Sequence, residues 1–234
     1  MVALFVALMF IGFLLVDLVV QTLATRRAKV SAALSLPWNV PKGFYLSEGH
    51  TWLHPDSSVG VKVGADALLA HALGSVEKVR LPKLGELVKA GEPLVHLECH
   101  GYDLKMPSWI TGHVVALNPG LGKHPELVAK DPYDSGWICA ITPTRPNGGS
   151  GGLRSGEKAV AWLEQEFHRF REFLFTRGSP DLPVNVTCPD GGLPSVGSLT
   201  QLGDGGWRAF EAEFLRPPRV THISSASQRA SQIG

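Results

Sequence analysis

GHTWLHPDSSVGVKVGADALLAHALGSVEKVRLPKLGELVKAGEPLVHLE, residues 49–98, is the stretch on which the fold turns. Short runs rich in Val, Leu and aromatics are broken by Gly, Pro and Asp, the pattern of a compact all-β module. Ser58–Gly64 (SVGVKVG) and Pro93–Glu98 (PLVHLE) read as strands. Between them, Ala65–Leu73 (ADALLAHAL) carries Leu68, Leu69 and Leu73 at helical spacing and predicts one helix. Further along, Gly112–Leu117 (GHVVAL) and Gly136–Thr142 (GWICAIT) extend the strand pattern, so the module runs over 44–145.

Outward from this module the composition changes on both sides. Val2–Ala24 (VALFVALMFIGFLLVDLVVQTLA) is almost wholly apolar. As a helix it would rise roughly 1.5 Å per residue and be long enough to cross a bilayer core. Arg26, Arg27 and Lys29 follow directly, with no basic residue ahead of the run. That pattern predicts a retained single-pass anchor over 1–29, N-terminus outside and later domains cytoplasmic, in an inner or plasma membrane. A cleaved signal preceding a secreted binding module is the rival reading. Asp17 and Gln21 lie one turn apart on this helix and are expected to face partner helices, because a carboxylate against lipid is costly. Residues 30–43 read as a tether containing Pro37 and Pro41.

Beyond the module, residues 146–156 contain PNGGSGGLRSG and read as a flexible linker. Residues 157–215 are expected to form a small α+β extension. Its helix, over about 155–176, carries Val160, Leu163, Phe167, Phe170 and Leu174 as one apolar stripe. Trp162, Phe173 and Phe175 make that helix greasier than one stripe requires; they are candidate partner contacts or packing within the domain. Leu182–Thr187 and Trp207–Leu215 read as two strands, the second from the alternation of Phe210, Ala212 and Phe214. Residues 216–234 form a polar tail.

The whole sequence of 234 residues has 44% hydrophobic and 18% charged residues, with 22 Lys+Arg against 21 Asp+Glu. A net charge of +1 lacks the basic excess of nucleic-acid binders, so no nucleic-acid partner is expected. Cys99, Cys139 and Cys188 form no CxxC pair and read as reduced thiols. Cys99 and His100 beside Glu98 invite a metal reading, but neighbours on a strand point to opposite faces, so no metal site is expected. No Walker, Rossmann, GxSxG or paired-carboxylate motif is present, and no catalytic residue is nominated.

Residues 45–143 are similar to the H protein of the glycine cleavage system. His50–Trp52 matches the family's HEW, Val61–Gly64 its VGIT strand, and Leu73–Gly74 and Leu81–Gly85 its LGD…LPEVG segment. SWITGHVVAL at Ser108–Leu117 resembles its SPVSGEVVEVN strand, and DPYDSGW at Asp131–Trp137 its DPYGEGW. The resemblance implies a mainly β lipoyl/biotinyl-type barrel-sandwich. It also implies a carrier role, in which one lysine at the tip of a β hairpin holds lipoate through an amide. Counting without a gap from Glu98 to Gly112 puts that lysine's place on Gly101. Glycine has no amine to acylate, so no cofactor is expected there. Lys105 is the nearest substitute, roughly 13 Å away along an extended strand.

Two readings follow. One is a non-catalytic, membrane-anchored structural subunit docked on the cytoplasmic side of a larger membrane-protein complex, with a respiratory or photosynthetic energy-converting assembly as the natural host. Its partners would be other membrane-protein subunits and the bilayer, met through the apolar helix, the cytoplasmic domain and the tail. The other is a membrane-tethered lipoyl carrier modified on Lys105 or another lysine.

Overall fold

The computed structural model describes residues 40–145, 152–177 and 193–217. Among the described residues, ten strands lie at Tyr45–Leu46 (β1), Thr51–Asp56 (β2), Gly60–Ala65 (β3), Lys78–Arg80 (β4), Leu87–Val88 (β5), Pro93–Cys99 (β6), Tyr102–Pro107 (β7), Gly112–Leu117 (β8), Cys139–Pro143 (β9) and Arg154–Ser155 (β10). They form a seven-stranded sheet in the order β10-β1-β2-β3-β9-β8-β5 and a three-stranded sheet in the order β4-β6-β7. All of the paired strands are antiparallel, so short turns suffice to connect neighbours.

The core is built from the alternation that the sequence shows. In β6, Val95, Leu97 and Cys99 are fully buried, while His96 and Glu98 point away. Trp52 is 1% exposed and its ring lies so close to Gly64 that a Cβ there would sit 2.6 Å from the indole. Gly64 is thus the residue that lets two neighbouring strands share one buried tryptophan.

The helix expected at 65–73 runs over Ala67–Leu73 (α1). Asp66 explains the later start: its carboxylate accepts the Leu69 N–H at 3.0 Å and caps the first turn. A short turn of helix at Leu127–Lys130 (α2) follows β8. The long helix spans Glu157–Arg177 (α3), and a further helix spans Gly203–Phe214 (α4).

Two expectations are corrected here. Trp207–Leu215 is not a strand. Trp207, Phe210 and Phe214 fall at helical spacing and are all buried, so the i, i+3, i+7 stripe overrides the two-residue alternation. The described part of the extension therefore carries no strand. The two-residue β10 lies inside the expected 146–156 linker, where Ser155 and Arg154 pair with Tyr45 and Leu46. The described residues all belong to one compact unit, so the linker does not divide an independent domain from the β module.

Among the described residues, no helix is long and apolar enough to cross a membrane. Val2–Ala24, with Asp17 and Gln21, lies outside the described residues, as do most of the tether, the expected strand at 182–187 and the tail beyond 217.

Candidate functional site

Strands β6 and β7 make a hairpin in which Cys99 pairs with Tyr102, leaving His100 and Gly101 as a two-residue turn. Their φ values are +50° and +83°. Positive φ at both central positions matches the twist of the flanking strands, and glycine takes it without a Cβ clash. Both residues are exposed, and a Cβ on Gly101 would meet nothing within 4 Å. The position singled out from spacing is thus at the hairpin tip, bare of any side chain.

Lys105 lies on the same hairpin but in mid-strand, opposite His96. Its side chain is exposed, while its N–H donates to Glu211 Oε1 at 3.2 Å. Cys99 points into the core, and burial, with the Glu77 carboxylate beside it, pushes its thiol up to about 12. His100 is out in the turn, so the two do not converge. No group of three or more His, Cys, Asp or Glu suited to a metal occurs among the described residues.

The outer face of this small sheet carries a charge ladder. Glu98 meets Arg80 at 3.0 Å and Lys78 at 3.7 Å; Asp103 meets Arg80 at 2.8 Å and His96 at 2.9 Å. Partial burial opposes ionisation of Asp103, but His96 and Arg80 outweigh it and hold the carboxyl below its ordinary value. Charges paired in this way hold the three strands in position. A separate cavity of about 360 Å³ is lined by Phe44, Trp52, Tyr133 and Trp137. Lys62 already sits over Trp137 at 5.3 Å and pairs with Asp56 at 2.8 Å, so its cationic place is filled from within.

A buried polar cluster escapes any reading of the sequence. His50, fully buried with φ +55°, pairs through Nδ1 with Asp66 Oδ2 at 2.7 Å. Its Nε2 faces Glu166 of α3 at 3.6 Å. Arg169, one turn along, holds Glu166 at 2.8 Å and donates to the Glu213 carbonyl of α4 at 2.8 Å. Burial alone would lower the imidazole's pKa. The Asp66 charge and hydrogen bond, joined by Glu166, reverse that and raise it to about 9. His50 is therefore an imidazolium at neutral pH, packed under Trp162 at 5.3 Å. The cluster fastens α3 and α4 onto the β module.

Of the partner-contact candidates, Trp162 is half-buried between His50 and Arg154, the latter 5.1 Å from its ring. Phe173 is buried against Phe210 and Phe214. Both side chains are engaged within the protein itself. Phe175 is 63% exposed.

The model of the family "Glycine cleavage H-protein" matches residues 44–166, more than half of the chain. The glycine cleavage system H protein of Magnetococcus marinus is 32% identical over 126 residues, covering 54% of this chain and 89% of the relative. The chain belongs to the glycine cleavage H-protein family. Other H proteins match similarly: Aquifex aeolicus H protein 2 is 30% identical over 56% of this chain and 81% of its own. That of Thermus thermophilus is 34% identical over 45% of this chain and 81% of its own. Among solved structures, the H protein of Mycobacterium marinum is similar at 26% identity and a TM-score of 0.46, covering 53% of this chain and 98% of that one. The H-protein match ends inside α3, so α4 lies beyond the family segment.

Proposed function

We propose that this H-protein-family chain is a non-catalytic, membrane-anchored accessory subunit that docks on the cytoplasmic side of a larger membrane-protein complex. The observation that carries this reading is Gly101 at the tip of the β6–β7 hairpin, where the family resemblance puts the acyl-bearing lysine. A β scaffold without an amine at that tip retains rigid strands and surface loops for docking, and no shuttle chemistry at that point. The apolar run Val2–Ala24 with Arg26, Arg27 and Lys29 behind it supports the anchor and its orientation. Asp17 and Gln21 are the proposed contacts to neighbouring helices, and exposed Phe175 a proposed contact on the folded unit. An energy-converting complex, respiratory or photosynthetic, is the proposed host.

Family membership favours a second reading, a tethered lipoyl carrier modified on Lys105. Against it stands the engagement of the Lys105 backbone by Glu211, which places α4 alongside that segment of strand.

Mild solubilisation of native membranes followed by sizing tests the proposal. The chain is expected to migrate with other membrane-protein subunits at a fixed ratio through successive columns. Migration as a free monomer under those conditions contradicts it.

A further inference from the structure

Helix α4 does more than fill space behind the β module, because it sits on the strand that leaves the hairpin tip. Tyr102, the first residue after the turn, meets Trp207 edge-on at 4.8 Å and 82°. Burial and then the neighbouring Asp204 carboxylate, at the start of α4, raise the Tyr102 phenol above its ordinary pKa. Three residues further along β7, the Lys105 N–H donates to Glu211. β7 is the outermost strand of its three-stranded sheet, so this N–H belongs to the edge that another chain would otherwise pair with. Trp207, Phe210 and Phe214 are all buried and hold α4 in place, Phe210 and Phe214 lying 5.7 and 5.8 Å from Phe170 of α3. Just past α4 the backbone crosses Gly49, where a Cβ would meet the Arg216 carbonyl at 2.8 Å.

The tip of the hairpin is open, yet its β7 flank is occupied. An enzyme that acylates a lysine on a hairpin has to hold the strands on either side of it. A free strand edge, with pockets for alternate side chains, is one such means of recognition. Here α4 takes the Lys105 edge amide through Glu211 and packs Trp207 on Tyr102, leaving between them a cavity of about 210 Å³ lined by Tyr102, Asp103, Trp207 and Glu211.

We infer that helix α4 is a built-in cover over the β7 flank, closing the hairpin to acyl-transferring enzymes even when a lysine is supplied at its tip. This rests on the reading that Gly101 occupies the family's acyl-lysine position, and it adds a second, independent barrier to modification.

The test supplies the lysine. Gly101→Lys is made in the full chain, and separately His100→Lys, since position 100 already carries a side chain at positive φ. Each is combined with Trp207→Ala and Glu211→Ala to release the flank. The probe is lipoate with ATP and a lipoate–protein ligase. The ligase joins the lipoate carboxylate to AMP with loss of pyrophosphate. The lysine nitrogen, its ammonium deprotonated, then attacks that carbonyl. The C–N bond forms, the C–O bond to AMP breaks, AMP leaves and the remaining proton passes to solvent.

Intact mass over time is expected to show the released variants acylated at least about 10-fold faster than the same lysines in the otherwise unaltered chain, a ratio set by how seldom the flank opens locally. Equal acylation with and without α4 contacts, whether both complete or both nil, overturns the inference. If the double release unfolds the chain, Glu211→Ala alone serves, because Glu211 lies outside the phenylalanine cluster. Hydrogen exchange at the Lys105 amide is then expected to rise, and unchanged exchange counts against the cover. Lipoate found on the native chain would instead contradict the functional reading, so the two failures are distinct.

Discussion

Asp66→Ala is expected to destabilise the protein by about 3–5 kcal/mol, the range for removing one partner of a buried ion pair. His50 and Asp66 are both fully buried, and Asp66 also caps α1. Without the carboxylate, an imidazolium has Glu166 only at 3.6 Å and is driven to lose its proton. The same pair sets a pH dependence. His50 has a folded pKa raised to about 9 from 6.5, so its stabilisation is full below 6.5 and is lost as pH rises through 9. A loss of about 3 kcal/mol over that interval follows from proton linkage. Urea unfolding at pH 6.5, 8 and 9.5 checks both points: the parent is expected to weaken across the series and Asp66→Ala to show a much flatter profile. Parallel profiles for the two proteins would show that the pair is not the source.

Phe214→Ala is expected to cost a similar amount, about 3–5 kcal/mol, as for phenylalanine deletion in a packed core. Its ring is fully buried and lies 4.8 Å from Phe210, 5.4 Å from Phe173 and 5.8 Å from Phe170. Arg169 stacks 4.2 Å above it, and His50 is 5.9 Å away. The side chain thus joins the aromatic core of α3 and α4 to the buried ion cluster, so its loss also loosens α4 on β7. Phe175→Ala is the matched control. At 63% exposure it is expected to change stability by no more than about 0.5 kcal/mol. Denaturant midpoints compare the two, and equal effects would remove Phe214 from its assigned place.

The β module is legible in the sequence because its strands are short, local and separated by turn residues. The family motifs also fix their order, from His50–Trp52 to Asp131–Trp137. The tip position follows from the family resemblance together with the ungapped spacing from Glu98 to Gly112. Helix α3 is legible from its stripe, which the structure bounds at Glu157–Arg177. Helix α4 reads as a strand because Phe210, Ala212 and Phe214 satisfy a two-residue period, while Gly205-Gly206 resembles a turn. Those glycines sit in the first turn of α4, and Gly206 is pressed so closely against Leu202 that a Cβ would overlap that side chain. Trp207 at helical spacing is the signal that decides the matter. The His50–Asp66–Glu166–Arg169 cluster has no local signature. It joins residues from a turn, a helix cap and a distant helix, and only tertiary packing makes neighbours of them.

Intact-mass measurement of the chain purified from its native source tests the missing attachment point most directly. The mass of the polypeptide without a lipoyl group is predicted, in every preparation and with the β6–β7 hairpin peptide unmodified. A lipoyl amide on Lys105 or on any other lysine would contradict the account and make the protein a carrier.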